Sequence, residues 1–296
     1  MNPGDPLDGS EPPQPETHPM PISIVTPVYN GMPQIRRTLE SMARQSVPFE
    51  HVVMDACSKD GTAEAVREFT PRYGVTVVSE RDEGLYDAIA KGFARTQGDI
   101  LAWLNAGDAY MPHTLSLVEW IFATHPEVEW ISGIPAYSYE ERDAVFTEPM
   151  IPVFSQVAIR RGWHNGHWLP HLEQESMFWR RSLWERAGGD ALLRGKGRGK
   201  NYACDYHLWR HFARHARLRT VCSMLSSFTF THGQISEKHR EQYYAECGVT
   251  RPPAHSLRLP YYVWALYSFL RLPATIKGHH LKRRSTGSGG GAAKGE

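Results

Sequence analysis

An α/β fold built on a mostly parallel, doubly wound sheet with helices on both faces is the class this sequence predicts, and two patterns predict it. Between Ile22 and Leu104, four short apolar runs alternate with segments of helical periodicity, as in repeated strand–helix units joined by right-handed crossovers. Polar loops bearing Asp, Asn or Gly follow these runs, and ligands of open α/β sheets gather at the carboxyl ends of the strands.

The first run, "ISIVTPVYN", is β-branched and closes on Pro, Tyr and Asn, as a buried parallel strand entering a loop does. "MPQIRRTLESMARQS" then sets Ile35, Leu39 and Met42 at helical spacing. A second strand, "HVVMD", ends on Asp55, and the loop "ACSKDG" leads into a helix from Thr62 to Phe69. "GVTVVSE" is the third strand, followed by "RDEGLYDAIAKGFARTQG" with Leu85, Ile89 and Phe93 on one helical face. The fourth, "DILAWL", runs into the turn "NAGD" ahead of a helical stretch, "PHTLSLVEWIFATH". One Asp at a strand end is an ordinary cap or turn residue. Three acidic loops on one sheet edge, at Asp55, "ERDEG" and "NAGD", point instead to a site. Neither G-x-G-x-x-G nor G-x-x-x-x-G-K-[ST] occurs in the first strand–helix turn, which excludes a dinucleotide fingerprint and a Walker loop.

The 296 residues, 41% of them hydrophobic, can bury a sizeable core. A net charge of +1 gives no footprint for nucleic acid. Cys57, Cys204, Cys222 and Cys247 form no C-x-x-C pair, which suits a reducing, cytoplasmic compartment. Residues 1–20, rich in Pro, Asp and Glu, read as a disordered leader, and the Gly/Ser-rich 285–296 as a disordered tail.

The motifs "ISIVTPVYNG", "VVMDACSKDGT", "SERDEGLYDAIAKG" and "GDILAWLNAGDAY" resemble, in order and spacing, those of the family-two glycosyltransferases with the GT-A fold. A second block, "LPHLEQESMFWRRSLWERAGG" followed by "CDYHLWRHFAR", is similar to their acceptor half. The resemblance implies one GT-A domain over residues 21–235, with a donor half at 21–110 and an acceptor half at 111–235. It implies inverting transfer of a hexosyl group from a UDP- or GDP-linked donor to a hydroxyl of a glycan, lipid-linked sugar or small molecule, in glycan or glycolipid biosynthesis. Carried over by residue, Thr26, Pro27 and Tyr29 edge the nucleoside pocket, Asp55 accepts a hydrogen bond from the base, and Asp82 lies near nucleoside or sugar. Asp108 faces metal and diphosphate, Asp205 is the general base, and Gln174 and Glu175 lie near the acceptor. Glu173 and Glu175 compete with Asp205 for the base role. His232, after "FTFT", falls where such enzymes often hold a metal or diphosphate ligand, and a capped turn histidine is the alternative.

Family members usually carry paired acids after the second strand and an acidic cluster after the fourth. Here stand Asp55-Ala56 and Asn105-Ala106-Gly107-Asp108. The expectation is therefore a divalent cation, Mg²⁺ or Mn²⁺, held mainly through the donor's phosphates, Asp108, His232 and the Asn105 carbonyl. The thinned motif also supports a catalytically weak nucleotide-sugar-binding or scaffold protein. A nucleotidyltransferase is disfavoured, because no Gly-rich, Arg- and Lys-bearing loop follows the first strand.

His207, His211 and His215 share a helical face with interleaved arginines, a solvated face opposite a buried Leu208, Trp209 and Phe212 stripe. His164, His167 and His171 lie in a loop that suits a sugar-binding lid and ordinary packing equally, and Arg194 to Lys200 form a basic loop, solvated or closing on an anion. Residues 236–284 read as a helical extension. Within it the short apolar run of 259–284, flanked by Arg and Lys, suits either a helix packed on protein or a peripheral anchor on the cytoplasmic membrane face.

Overall fold

The computed structural model describes residues 22–139, 142–147, 154–165, 169, 171–194, 202–231, 234–248 and 263. His232, His167, residues 195–200 of the basic loop, the termini expected to be disordered and, save Val263, the run 259–284 lie outside the described residues; Arg194, expected in that loop, instead ends a helix and pairs with Asp190 four residues before it.

The expected strand–helix alternation is present as β1 (Ile22–Val28), α1 (Ile35–Ala43), β2 (Glu50–Asp55), α2 (Thr62–Tyr73), β3 (Thr76–Ser79), α3 (Leu85–Phe93) and β4 (Ile100–Trp103). The chain continues through β5 (Ala109–Tyr110), α4 (Thr114–Thr124), β6 (Trp130–Ser132), β7 (Ala136–Tyr139), β8 (Arg142–Thr147) and α5 (Gln156–Arg160). A single 3-10 turn (Gln174–Ser176) precedes β9 (Met177–Arg180), α6 (Arg181–Ala187), α7 (Gly189–Arg194) and α8 (Cys204–His215). Last come β10 (Arg219–Thr220), β11 (Ser226–Phe230), α9 (Ile235–Lys238) and α10 (Arg240–Glu246). Helix α2 runs past the expected Phe69 to Tyr73, with Pro71 in its last turn and Gly74 as a left-handed cap. A proline there removes one hydrogen bond, and Tyr73 packs edge-on against Phe69 to keep the turn in place.

Seven strands form the main sheet in the order β10–β6–β9–β4–β1–β2–β3. Strand β9 is antiparallel to both β4 and β6, while β1 pairs in parallel with β2 and β4, β2 with β3, and β6 with β10. A smaller sheet, ordered β5–β11–β7–β8, stands beside it. The alternation of β1 sorts the core into layers. Val25 meets a cluster built with α3, α6, α7 and α8, while Ile22 and Ile24 meet one with α4 and Val28 one with α1 and α2. The first layer is dense in indoles: Trp103, Trp130, Trp179 and Trp209 are all fully buried. Among the described residues, no helix is long and apolar enough to cross a membrane.

Helix α3 crosses β1 closely enough that only glycine fits at its inner face. A Cβ on Gly92 would lie 2.5 Å from Val25 Cγ1 and 2.9 Å from Cγ2. Gly92→Ala is therefore expected to destabilise the fold by about 1–3 kcal/mol through overpacking, read as a lower midpoint in urea. A rise in the midpoint, as a better helix former on an open face would give, would contradict the close approach.

Candidate active site

The carboxyl ends of β1 and β2 are joined before any ligand arrives. Asn30 N–H donates to Ser58 Oγ (2.8 Å) and Lys59 N–H to Asn30 Oδ1 (3.0 Å). Gly31 N–H donates to Thr62 Oγ1 (2.9 Å) and Met32 N–H to Asp60 Oδ2 (2.9 Å). At their base sits Asp55, 1% exposed, which accepts the Ser58 N–H at 3.1 Å and the Ser79 hydroxyl at 2.7 Å. These donors satisfy the buried side-chain oxygens, and Oδ1 keeps lone-pair capacity for a further donor. Tyr29, 65% exposed, stands at the rim. Pro27 is buried in β1, and Thr26 faces the core, its hydroxyl 2.9 Å from His51 Nε2. Burial holds His51 neutral, its pKa lowered to about 3, so this pair is part of the interior and supports the strand whose end makes the rim.

Asp82 precedes α3, and its carboxylate accepts the Gly84 N–H at 2.9 Å. Partial burial raises its carboxyl above the usual range, and the negative charges of Asp87 and Asp55 add to the rise. Asp55 is thus close enough for its charge to act on Asp82.

The turn after β4 is built inward. Gly107, at φ 106°, takes a left-handed conformation that favours glycine, and it turns Asp108 into the protein, where only 4% is exposed. Thr229 of β11 donates its N–H to Asp108 Oδ1 (2.9 Å) and its hydroxyl to the Gly107 carbonyl (2.7 Å). Thr38 of α1 donates to the Asp108 carbonyl (2.7 Å) and accepts the Gly107 N–H (2.9 Å). Burial pushes the Asp108 carboxyl up to about 7; the Thr229 N–H and the Arg37 guanidinium pull it down, and Glu173 pushes it further up. Glu175, 4% exposed, is raised well above the carboxylate range by burial and then by Glu173 and Asp108. The Tyr137 hydroxyl donates to Glu173 at 2.9 Å. Gln174 locks this group to the main sheet: its Nε2 donates to the Trp103 carbonyl (2.6 Å), and its Oε1 accepts from Asn105 Nδ2 (3.1 Å).

The structure therefore brings the buried Asp108, Gln174 and Glu175 and the half-buried Asn105 into one acidic cluster. Among the described residues no set of three or more His, Cys, Asp or Glu is arranged to hold an ion. Two features nevertheless fit a partly protein-bound hard cation. Asn105 Oδ1 is buried without a hydrogen-bond partner, and Asp108 stands in a surplus of negative charge that a cation would relieve.

Asp205 occupies the first turn of α8, half-buried, with Oδ1 accepting the Tyr206 N–H at 2.7 Å. Burial raises its carboxyl to about 6, against the pull of the Tyr206 N–H and the Tyr86 hydroxyl. Tyr86 lies in the first turn of α3, so the helix that follows Asp82 also reaches the amino end of α8. The Leu208, Trp209 and Phe212 stripe is buried, as its spacing predicts. In the loop of 163–171, His164 is buried edge-on against Phe154, while His171 meets Tyr243 and Tyr244.

Sequence reasoning did not single out Thr38, Arg37, Thr229 or Glu246. Thr38 carried a readable signal, a polar residue on the same α1 face as Ile35, Leu39 and Met42. Thr229 carried none, because a β11 residue meets the β4 loop only once two sheets are assembled.

The profile described as glycosyl transferase family 2 matches residues 23–186, more than half the chain. The chain belongs to this family. The family-two chain is 34% identical over 97 residues to the glycosyltransferase AglE of Haloferax volcanii, a stretch covering 31% of each protein. It spans under half the length of the curated relatives it matches. Among solved structures it is similar to S. aureus TarS 1–349 in complex with UDP-GlcNAc, with a TM-score of 0.58 at 16% identity over 77% of this chain and 64% of that one. It is also similar to the Pyrobaculum calidifontis mannosyltransferase PcManGT in complex with GDP-Man and Mn²⁺, with a TM-score of 0.54 at 23% identity over 85% and 75%. These likenesses establish the GT-A-type fold of the family-two chain.

Proposed function

We propose that the chain is a glycosyltransferase that moves a hexosyl group from a UDP- or GDP-sugar to a hydroxyl of a glycan or lipid-linked acceptor, with inversion. The observation that carries this reading is Asp205. A carboxyl raised to about 6 at the start of α8, on the side reached by the Asp82 helix, is ionised at neutral pH yet basic enough to take a proton. In the proposed step Asp205 removes the proton of the acceptor hydroxyl as its oxygen bonds to the anomeric carbon. The bond from that carbon to the nucleoside diphosphate breaks on the opposite face, and the diphosphate leaves with the electron pair. The joined β1 and β2 loops receive the nucleoside, with Asp55 accepting from the base, and Asp82 lies toward the sugar. Asp108 and Asn105 would hold Mg²⁺ or Mn²⁺ together with the donor's diphosphate, and His232 is assigned to the same ion. When bound, that ion neutralises the charge of the departing diphosphate. Support for a cation comes from PcManGT, whose complex holds GDP-Man and Mn²⁺. An acceptor on a lipid, reached through peripheral contact of 259–284 with the cytoplasmic membrane face, fits the aromatic and basic residues of that run.

The sparse acidic motif favours a second reading, a nucleotide-sugar-binding protein with little turnover. Calorimetry with UDP and GDP, with and without Mn²⁺, separates the outcomes. One nucleotide is expected to bind in the presence of Mn²⁺, and Asp55→Ala to weaken it by roughly 10- to 100-fold, the worth of a hydrogen bond to a charged group. Binding without hydrolysis or transfer from UDP-glucose, UDP-GlcNAc or GDP-mannose would favour the second reading. No binding of either nucleotide would overturn both.

A further inference from the structure

Helix α10 closes over the amino end of α8, and one side chain makes the junction. Glu246 Oε2 accepts the N–H of Tyr202 at 2.7 Å and of Ala203 at 2.9 Å, the residues that lead into the helix. The α8 N-cap, Ala203, has no side chain able to cap, and a carboxylate from another helix instead anchors the two residues ahead of the first turn, at the end where the helix dipole favours negative charge. Tyr202 is also held at its carbonyl by the Tyr86 hydroxyl (3.1 Å) and at its ring by His239, stacked at 4.4 Å. Cys247, next after Glu246, is buried with Ala203 and Tyr206, and Tyr243 packs against them.

We propose that Glu246 is a positioning residue for Asp205: from the end of α10 it holds Tyr202 and Ala203, the residues that lead into α8, and so fixes the first turn on which the Asp205 carboxylate stands. This rests on the reading of Asp205 as the general base. The groups facing Asp205 are Tyr86 from α3, the Tyr206 N–H on α8 itself, Tyr243 and Glu246 from α10, and Cys247 just after it; Cys204, its neighbour in sequence, acts on Tyr86. Glu246 is the carboxylate among them, and its charge adds to the rise of the Asp205 carboxyl.

The test compares Glu246→Ala, Glu246→Gln and Asp205→Asn in the full chain, using whichever of UDP-glucose, UDP-GlcNAc and GDP-mannose is turned over fastest. Glu246→Ala should lower kcat about 10- to 100-fold, the scale of a misplaced catalytic group, with donor KM within about twofold and faster amide hydrogen exchange over 202–206. Glu246→Gln keeps an acceptor oxygen and should recover most of the lost kcat. Because it removes a negative charge, it should also move the acid limb of the pH–rate profile to lower pH. Wild-type kcat in Glu246→Ala, with Asp205→Asn impaired, would overturn the positioning role and leave the base assignment standing. Wild-type kcat in Asp205→Asn would remove the base assignment and this proposal with it. If Glu246→Ala fails to fold, the glutamine variant decides, and an unmoved acid limb overturns the proposal.

Discussion

Asp205→Asn is expected to lower kcat by roughly 10²–10⁴-fold, the span that general-base catalysis supplies, with UDP or GDP affinity within about twofold of wild type. An asparagine at the start of α8 can still accept the Tyr206 N–H, so the helix keeps its first turn. What disappears is the proton acceptor of the proposed step. In the wild-type protein the rate should rise with pH and level off above about 6, because the base form appears as the carboxyl ionises through its raised value. The same burial has an opposite effect on stability. A carboxyl raised in the folded state contributes stability that is complete below its unfolded value, near 3.8, and is lost as pH rises through about 6. At pH 8 the asparagine variant should therefore melt no lower than wild type, an inactive protein with an undamaged fold. Wild-type turnover in Asp205→Asn, with a large loss in Glu173→Gln, would transfer the base role to the acidic cluster around Asp108.

Trp209→Ala is expected to cost about 3–5 kcal/mol, as large-to-small changes of buried aromatic residues do, out of a typical total of about 5–15 kcal/mol. Trp209 is 1% exposed and stacks on Trp103 at 5.5 Å and 8°. It also meets Trp179 edge-on at 5.6 Å, Phe212 at 5.5 Å and Trp130 at 5.8 Å. Such a site cannot collapse, since its neighbours belong to three strands and one helix. Trp103 is the last residue of β4, two before Asn105, and Trp209 is four after Asp205 on α8. The pair thus links the strand that ends at the acidic cluster to the helix that carries Asp205. Urea unfolding measures the loss, and a change below about 1 kcal/mol would show that the indole layer repacks.

The strand–helix alternation of residues 22–103 was legible because its strands are separated by helices whose apolar spacing is unbroken. Ile35, Leu39 and Met42, then Leu85, Ile89 and Phe93, announce their elements without help from the rest of the chain. The direction of strand β9 was not legible. Four residues, "MFWR", buried on both faces, read alike whether parallel or antiparallel to β4. The smaller sheet was mostly hidden, because its strands are two to six residues long and two of its pairings join segments more than ninety positions apart. Asp55 was legible as a strand-end carboxylate. The depth of Asp108 was not, since it depends on Thr38 and Thr229, which come from elements before and after the turn. Gln174 reads in sequence as an acceptor-side residue, and the structure shows its amide spanning Trp103 and Asn105. His232 lies outside the described residues.

The four hydrogen bonds that tie residues 30–32 to residues 58–62 have a consequence for the history of the chain. Two loops from different strands share one set of partners, so neither can lengthen or shorten without unmaking the other. Insertions that remodel the protein should collect elsewhere on the molecule, and changes at this rim should arrive in pairs. Any ligand that docks at this rim meets loops whose conformational freedom is already gone when the chain folds.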